Sequence, residues 1–213
     1  MILITGIPRS RTSLTAAMFD KCGAYFCPAD DMVGPHPTNI LGFFESKKVR
    51  YELQRPYFKR IGFDPMARTS LPLAKDIIID PTWNERFFKA IPGCTAHKEA
   101  KMLLYWEQWH HAFPEAKWVI VRRNRAEILE SVDKLTPWMR GKLKRNQWEK
   151  WIDHHLMRME GMKKSVVWCE IDTDRLIQGD CEEIQHNIEW CGLEWRDDAK
   201  ELVMPEYTYQ VKK

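Results

Sequence analysis

Residues 6–13 read GIPRSRTS, set between the apolar run MILIT and the helix-like LTAAMFDKC. The spacing is that of a phosphate-binding loop, G-x-x-x-x-G-K-[ST], with Arg11 at the second glycine and Thr12 at the lysine. A glycine turn that feeds a helix N-terminus offers backbone N–H groups and a partial positive charge to an anion. Arg9 adds a full charge beside it, and Thr12 and Ser13 add hydroxyl donors at the first helical turn. A plain strand-to-helix turn with Ser10 or Thr12 as N-cap has the same composition. The segment therefore needs a second anion-binding feature to acquire a meaning.

VRRNRAEILESV supplies one: Arg123 closes an apolar strand and Ser131 follows eight residues on, about two turns into the next helix. In a parallel sheet the carboxyl ends of the strands open onto one edge, where ligands collect. Two anion sites on that edge suit a ligand with two separated phosphates. A P-loop kinase is the rival enzyme, with Asp80 after three isoleucines as its magnesium carboxylate, but the loop lacks the kinase lysine.

The elements that must position these groups alternate along the chain. Residues 1–5 form a buried strand, and Leu14, Ala17, Met18 and Cys22 recur on one helical face. GAYFC after Gly23 reads as a second short strand, followed by the Pro-, Gly- and Asp-rich loop 28–42, long enough to be functional. A charged helix covers FESKKVRYELQRPYFKR, and another starts near Pro81. Leu103, Trp106, His110 and Phe113 keep helical spacing, AKWVIVRR and SVVWCEI are buried strands, and the Trp-rich stretch from Asn146 is helical. Ile184, Ile188 and Cys191 face one way on a last helix that Gly192 closes. The expectation is one α/β domain over residues 1–213, three-layered α/β/α around a mostly parallel sheet.

Composition narrows the partners. A chain of 213 residues with 44% hydrophobic content and 10 Trp can bury one large core. Its 33 basic against 30 acidic residues leave +3, too little for a nucleic-acid polymer but compatible with a local anion pocket. No run approaches 18 apolar residues, so neither a membrane nor a signal segment is expected. The six cysteines read as reduced thiols of a cytoplasmic protein, the His110–His111 and His154–His155 pairs as solvated helix residues, and no metal site is expected. Trp106, Trp109, Trp148 and Trp151 could stack on an acceptor, although aromatics at helical spacing more often build core.

With these residues in register, the chain resembles the sulfotransferase superfamily, whose P-loop-like fold uses 3′-phosphoadenosine 5′-phosphosulfate (PAPS). GIPRSRTSL resembles its 5′-phosphosulfate loop and VIVRRNRAEILES its 3′-phosphate element, R-x-P-x-x-x-x-x-S. NILGFFESKKV is similar to N-x-x-G-[FYW]-[FW]-E, and HKEAKMLLYWEQWHHAFPEAKWVIVRR follows the K-D-P-R…FP-x-A-K course. VVWCEI, DRL and CGLEW match its late strand, turn and closing glycine. Arg11 for the loop glycine, Arg125 for proline and KEAK for K-D-P-R depart from the pattern.

The resemblance implies sulfuryl transfer from PAPS to a hydroxyl or amine of a small-molecule or carbohydrate acceptor, leaving adenosine 3′,5′-bisphosphate and needing no metal. Arg9, Ser10, Arg11, Thr12 and Ser13 would hold the 5′-phosphosulfate, with Arg9 neutralising the leaving group, and Arg123 and Ser131 the 3′-phosphate. Glu45 would be the general base, with His97 and Glu99 in reserve, and Lys98 would brace the sulfate. A nucleotide-binding pseudoenzyme of the same fold is the alternative from another class.

Overall fold

The computed structural model describes residues 1–36, 39–135, 141 and 143–203. Four parallel strands form the central sheet in the order β2-β1-β3-β4: β1 Ile2–Gly6, β2 Ala96–Lys98, β3 Lys117–Arg122 and β4 Trp168–Asp172. Around it lie α1 Thr12–Lys21, α2 Arg55–Arg60, α3 Trp83–Ala90, α4 Trp106–Ala112, α5 Arg125–Asp133, α6 Arg145–Lys163, α7 Thr173–Leu176 and α8 Glu182–Trp190.

Period-two alternation divides the core. Leu3, Trp118 and Ile120 face a cluster that takes in α3 to α6, whereas Ile2, Ile4, Val119 and Val121 face α1 and α8. Both faces of the sheet are covered, the α/β/α layering expected of a parallel sheet. Trp109 is wholly buried, Trp148 and Trp151 are core residues of the first cluster, and Trp106 packs against that cluster.

Two readings of the sequence are corrected. GAYFC is not a strand: it meets the sheet at Tyr25, whose carbonyl accepts from the N–H groups of Thr95 and Ala96 at 2.8 and 3.0 Å and whose N–H donates to the Thr95 hydroxyl at 2.8 Å, and Ala24 and Phe26 are buried in irregular backbone. The edge strand is Ala96–Lys98 instead, too short and polar to stand out. His155 is not solvated but wholly buried, its Nδ1 2.8 Å from the Trp151 carbonyl oxygen.

Asp80 is committed to structure. One oxygen accepts from the N–H and hydroxyl of Thr82 at the head of α3, and the other pairs with Arg60 and Arg86 at 3.3 and 2.9 Å. The charged helix is also irregular: Val49–Gln54 is a π-helical turn that leads into α2. Pro56 has no N–H for the Glu52 carbonyl, which accepts instead from Arg86 Nη2 at 3.2 Å.

Gly6 ends β1 opposite Val121, and a Cβ there would lie 2.4 Å from the Val121 carbonyl oxygen. The first loop glycine is thus needed for close approach between β1 and β3. Gly6→Ala should lower stability by about 1–3 kcal/mol through forced strand separation; urea unfolding that finds less than about 0.5 kcal/mol would show that the strands part freely.

Candidate functional site

The loop leaves β1 at Gly6 and is closed by a hydrogen bond from Ser10 N–H to the Ile7 carbonyl at 3.0 Å. Two of its non-glycine residues adopt left-handed backbone, Arg9 at φ 81° and Arg11 at φ 61°. Among the described non-glycine residues only Phe44 and Ala67 share that conformation outside the loop, and Phe44 immediately precedes Glu45. Such strain costs on the order of 1 kcal/mol per residue and tends to gather at functional sites.

Arg11 stands where the resemblance expects glycine, and its side chain offsets the strain. Its guanidinium pairs with Asp174 at 2.6 Å and Glu127 at 2.9 Å, and is only 10% exposed. Its side chain is therefore engaged by carboxylates, and what it offers an anion is backbone. Ser10 is turned wholly inward, its N–H spent on Ile7 and its hydroxyl buried without a partner. Thr12 and Ser13 open α1, where the first N–H groups have no acceptor inside the helix.

Beside that helix end lies the first charged cluster. Ser13 Oγ accepts from Asn39 Nδ2 at 2.9 Å and from Lys98 Nζ at 3.2 Å. Lys98, at the end of β2 and almost fully buried, also donates to the Phe43 carbonyl at 3.1 Å and to Glu45 Oε1 at 2.8 Å. Arg50 pairs with the second Glu45 oxygen. Burial works against the Glu45 carboxylate, but Lys98 and then Arg50 outweigh it and hold the group down to about 2.

The two reserve bases lie elsewhere. His97 alternates with Lys98 and points to the opposite face, stacked on Trp109 at 4.8 Å, where burial pushes it down to about 3. Glu99 accepts from Gln54 Nε2 at 2.6 Å and Tyr105 Oη at 3.3 Å. Burial raises it to about 7, against the pull of Lys101 and with the help of Glu45.

The second cluster joins residues that the sequence assigned to separate phosphates. Arg9 Nε donates to Ser131 Oγ at 3.0 Å, and Arg123 Nη1 donates to the Arg9 carbonyl at 2.8 Å. Arg123 Nε and Nη2 both reach Glu127 Oε2 at 3.0 Å, one helical turn on. Arg9 has its pKa lowered by burial and by Arg123 beside it, the electrostatic mark of a site short of negative charge. Three arginines, Arg9, Arg11 and Arg123, thus face two carboxylates, Glu127 and Asp174.

Sequence reasoning missed Glu127, Asp174 and Arg50. The four-residue step from Arg123 could have flagged Glu127 on a helix, whereas Asp174 meets Arg11 across 163 residues and left no local signal. Asn39 was visible only as part of its motif. Among the described residues no group of three or more His, Cys, Asp or Glu is arranged to hold a metal, and no helix is long and apolar enough to cross a membrane.

The fold and site can now be set beside known proteins. A family model described as "Sulfotransferase domain" matches residues 1–212. The solved structure of the sulfotransferase STF1 from Mycobacterium tuberculosis H37Rv superposes with a TM-score of 0.52 and 13% identity, over 96% of this chain and 70% of that one. At that identity the likeness is one of fold. A search of curated proteins returns no match. Since the family model spans almost the whole chain, from β1 past the last described helix, the chain belongs to the sulfotransferase domain family.

Proposed function

We propose that the chain transfers a sulfuryl group from PAPS to a hydroxyl or amine of a small-molecule or carbohydrate acceptor. The observation that carries the reading is the placing of Arg9 on Ser131 and of Arg123 on the Arg9 carbonyl, two arginines kept together against their repulsion where the loop meets α5. Such a cluster suits a dianionic 3′-phosphate. Thr12 and Ser13, with their helix-end N–H groups and Lys98 alongside, suit the 5′-phosphosulfate.

Sulfuryl transfer needs positioning and stabilisation of charge on the departing oxygens more than covalent help from the protein. Lys98 supplies that charge in the present reading and Arg9 neutralises the bisphosphate product. In the free chain Lys98 is shared between Ser13 and Glu45. A sulfate competing for Lys98 would loosen its hold on Glu45 and let that carboxylate accept the acceptor's proton. PAPS brings the transferable group; the chain orients it, shields it and moves one proton at Glu45. The tight clamp on Glu45 also favours a second reading, a nucleotide-binding protein of this fold without turnover, and sulfuryl turnover separates the two.

Adenosine 3′,5′-bisphosphate should bind much more tightly than 5′-AMP by calorimetry, and equally well in EDTA. Arg123→Ala should weaken the bisphosphate about 10- to 150-fold, the worth of a charged hydrogen bond at about 1.5–3 kcal/mol, and leave 5′-AMP nearly unchanged. Equal wild-type affinities for the two nucleotides would remove the case for PAPS.

Glu45→Gln should keep bisphosphate affinity and lose about 10²- to 10⁴-fold in turnover. Full activity in that variant would exclude Glu45 as the base. The pH profile gives an independent check, because the clamp depresses the Glu45 pKa and keeps it ionised well below its ordinary 4.5. Removing one cation in Arg50→Met should move the acid limb of kcat/KM to higher pH, toward that ordinary value; an unmoved limb would mean that another group controls it.

A further inference from the structure

Glu127 occupies the second cluster in a manner that the proposed reaction does not require. Its Oε2 alone takes three N–H donors, from Arg11 Nη2 at 2.9 Å and from Arg123 Nε and Nη2 at 3.0 Å each. One oxygen facing two guanidinium forks is what a phosphate oxygen would experience at the same place.

The two carboxylates of the cluster are held differently. Asp174 is fixed from two sides, by Arg11 at 2.6 Å and by the Asn124 N–H at 2.7 Å, and its side chain is 25% exposed. Glu127 is bound only through that one oxygen to arginines, and its side chain is 40% exposed on the α5 surface. Glu127 has an open path into solvent, and a phosphate arriving in its place would keep its arginines paired, while Asp174 stays and keeps Arg11 in place.

Charge counting agrees. With Glu127 inside, the three arginines and two carboxylates sum to +1, and with it outside they sum to +2. A phosphate monoester carries a charge of about −1.5 to −2 at neutral pH, so the open cluster matches it and the closed one does not.

We propose that Glu127 is an internal counter-anion that closes the 3′-phosphate position and must be displaced by the nucleotide, which makes it a determinant of donor affinity. The idea rests on the PAPS reading above. It gives the loop arginine a purpose: Arg11 holds Glu127 over Arg123 when the site is empty and retains Asp174 when it is filled.

The test measures adenosine 3′,5′-bisphosphate and 5′-AMP by calorimetry on wild type, Glu127→Gln, Glu127→Ala and Glu130→Gln. Glu130 is exposed on the same helix and is not among the carboxylates paired with the three arginines, so its variant reproduces the net-charge change while leaving those pairs intact. Both Glu127 variants should bind the bisphosphate about tenfold more tightly, the lower end for one charged hydrogen bond, with 5′-AMP and the Glu130 variant near wild type. A discriminating wild type with unchanged or weakened Glu127 variants would overturn the inference and leave the PAPS reading standing. Indifference in every protein would overturn both.

Discussion

The ion pair between Arg11 and Asp174 is the constraint on which the rest of the site depends. Arg11 lies in left-handed backbone where glycine is the unstrained choice, and the 2.6 Å contact with Asp174 holds it there. Asp174 is itself set by α7, where the Asp172 side chain caps its N–H, and it accepts from Asn124 at the start of α5. The loop after β1, the start of α5 and the end of β4 are therefore tied through one carboxylate. Thr173 adds a second tie, donating to the Arg122 carbonyl at 2.8 Å. Loop shape, arginine placement and the spacing between the two anion clusters all follow from this knot.

The knot explains why the two clusters are so unlike. One side of the loop meets helix-end N–H groups, the Ser13 hydroxyl and a lysine that bridges that hydroxyl to Glu45. The other side meets guanidinium forks that outnumber their carboxylates. Placing opposite chemical tasks on the two flanks of one short loop is economical, since a single backbone conformation sets both. It also makes them dependent on each other: Arg9 and Arg11, two residues apart and both at positive φ, reach different parts of the same cluster, Ser131 and Asp174.

Much of this was legible in the sequence, and the misses have physical causes. β1 and β3 are apolar because both of their faces are covered, and such runs are easy to read. β2 escaped because its three residues divide their side chains, His97 into the aromatic core and Lys98 toward the loop. GAYFC misled because aromatic burial and strand pairing are separate matters: Phe26 packs against Phe44 at 5.8 Å although the segment forms no ladder. The loop and the Arg123–Ser131 spacing could be read from the residues themselves, whereas Glu45 and Lys98 stood out only through the resemblance to the family. The long-range pairs could not, because the fold brings Lys98 to Glu45 across 53 residues and Arg11 to Asp174 across 163.

The π-helical turn at Val49–Gln54 carries a consequence of another kind. A π-turn holds one residue more than an α-turn, so the helix on either side of it is out of phase by about 100° relative to a continuous α-helix. Arg50 stands at the start of that turn and is brought to Glu45, while the face of α2 beyond it packs Tyr57 and Phe58 into the aromatic core. Both demands could not be met from one regular helix carrying these residues at these numbers. The extra residue behaves as a phase shifter between a reactive surface and a buried one. A related chain lacking it would have to find the second cation for its glutamate somewhere else in the fold.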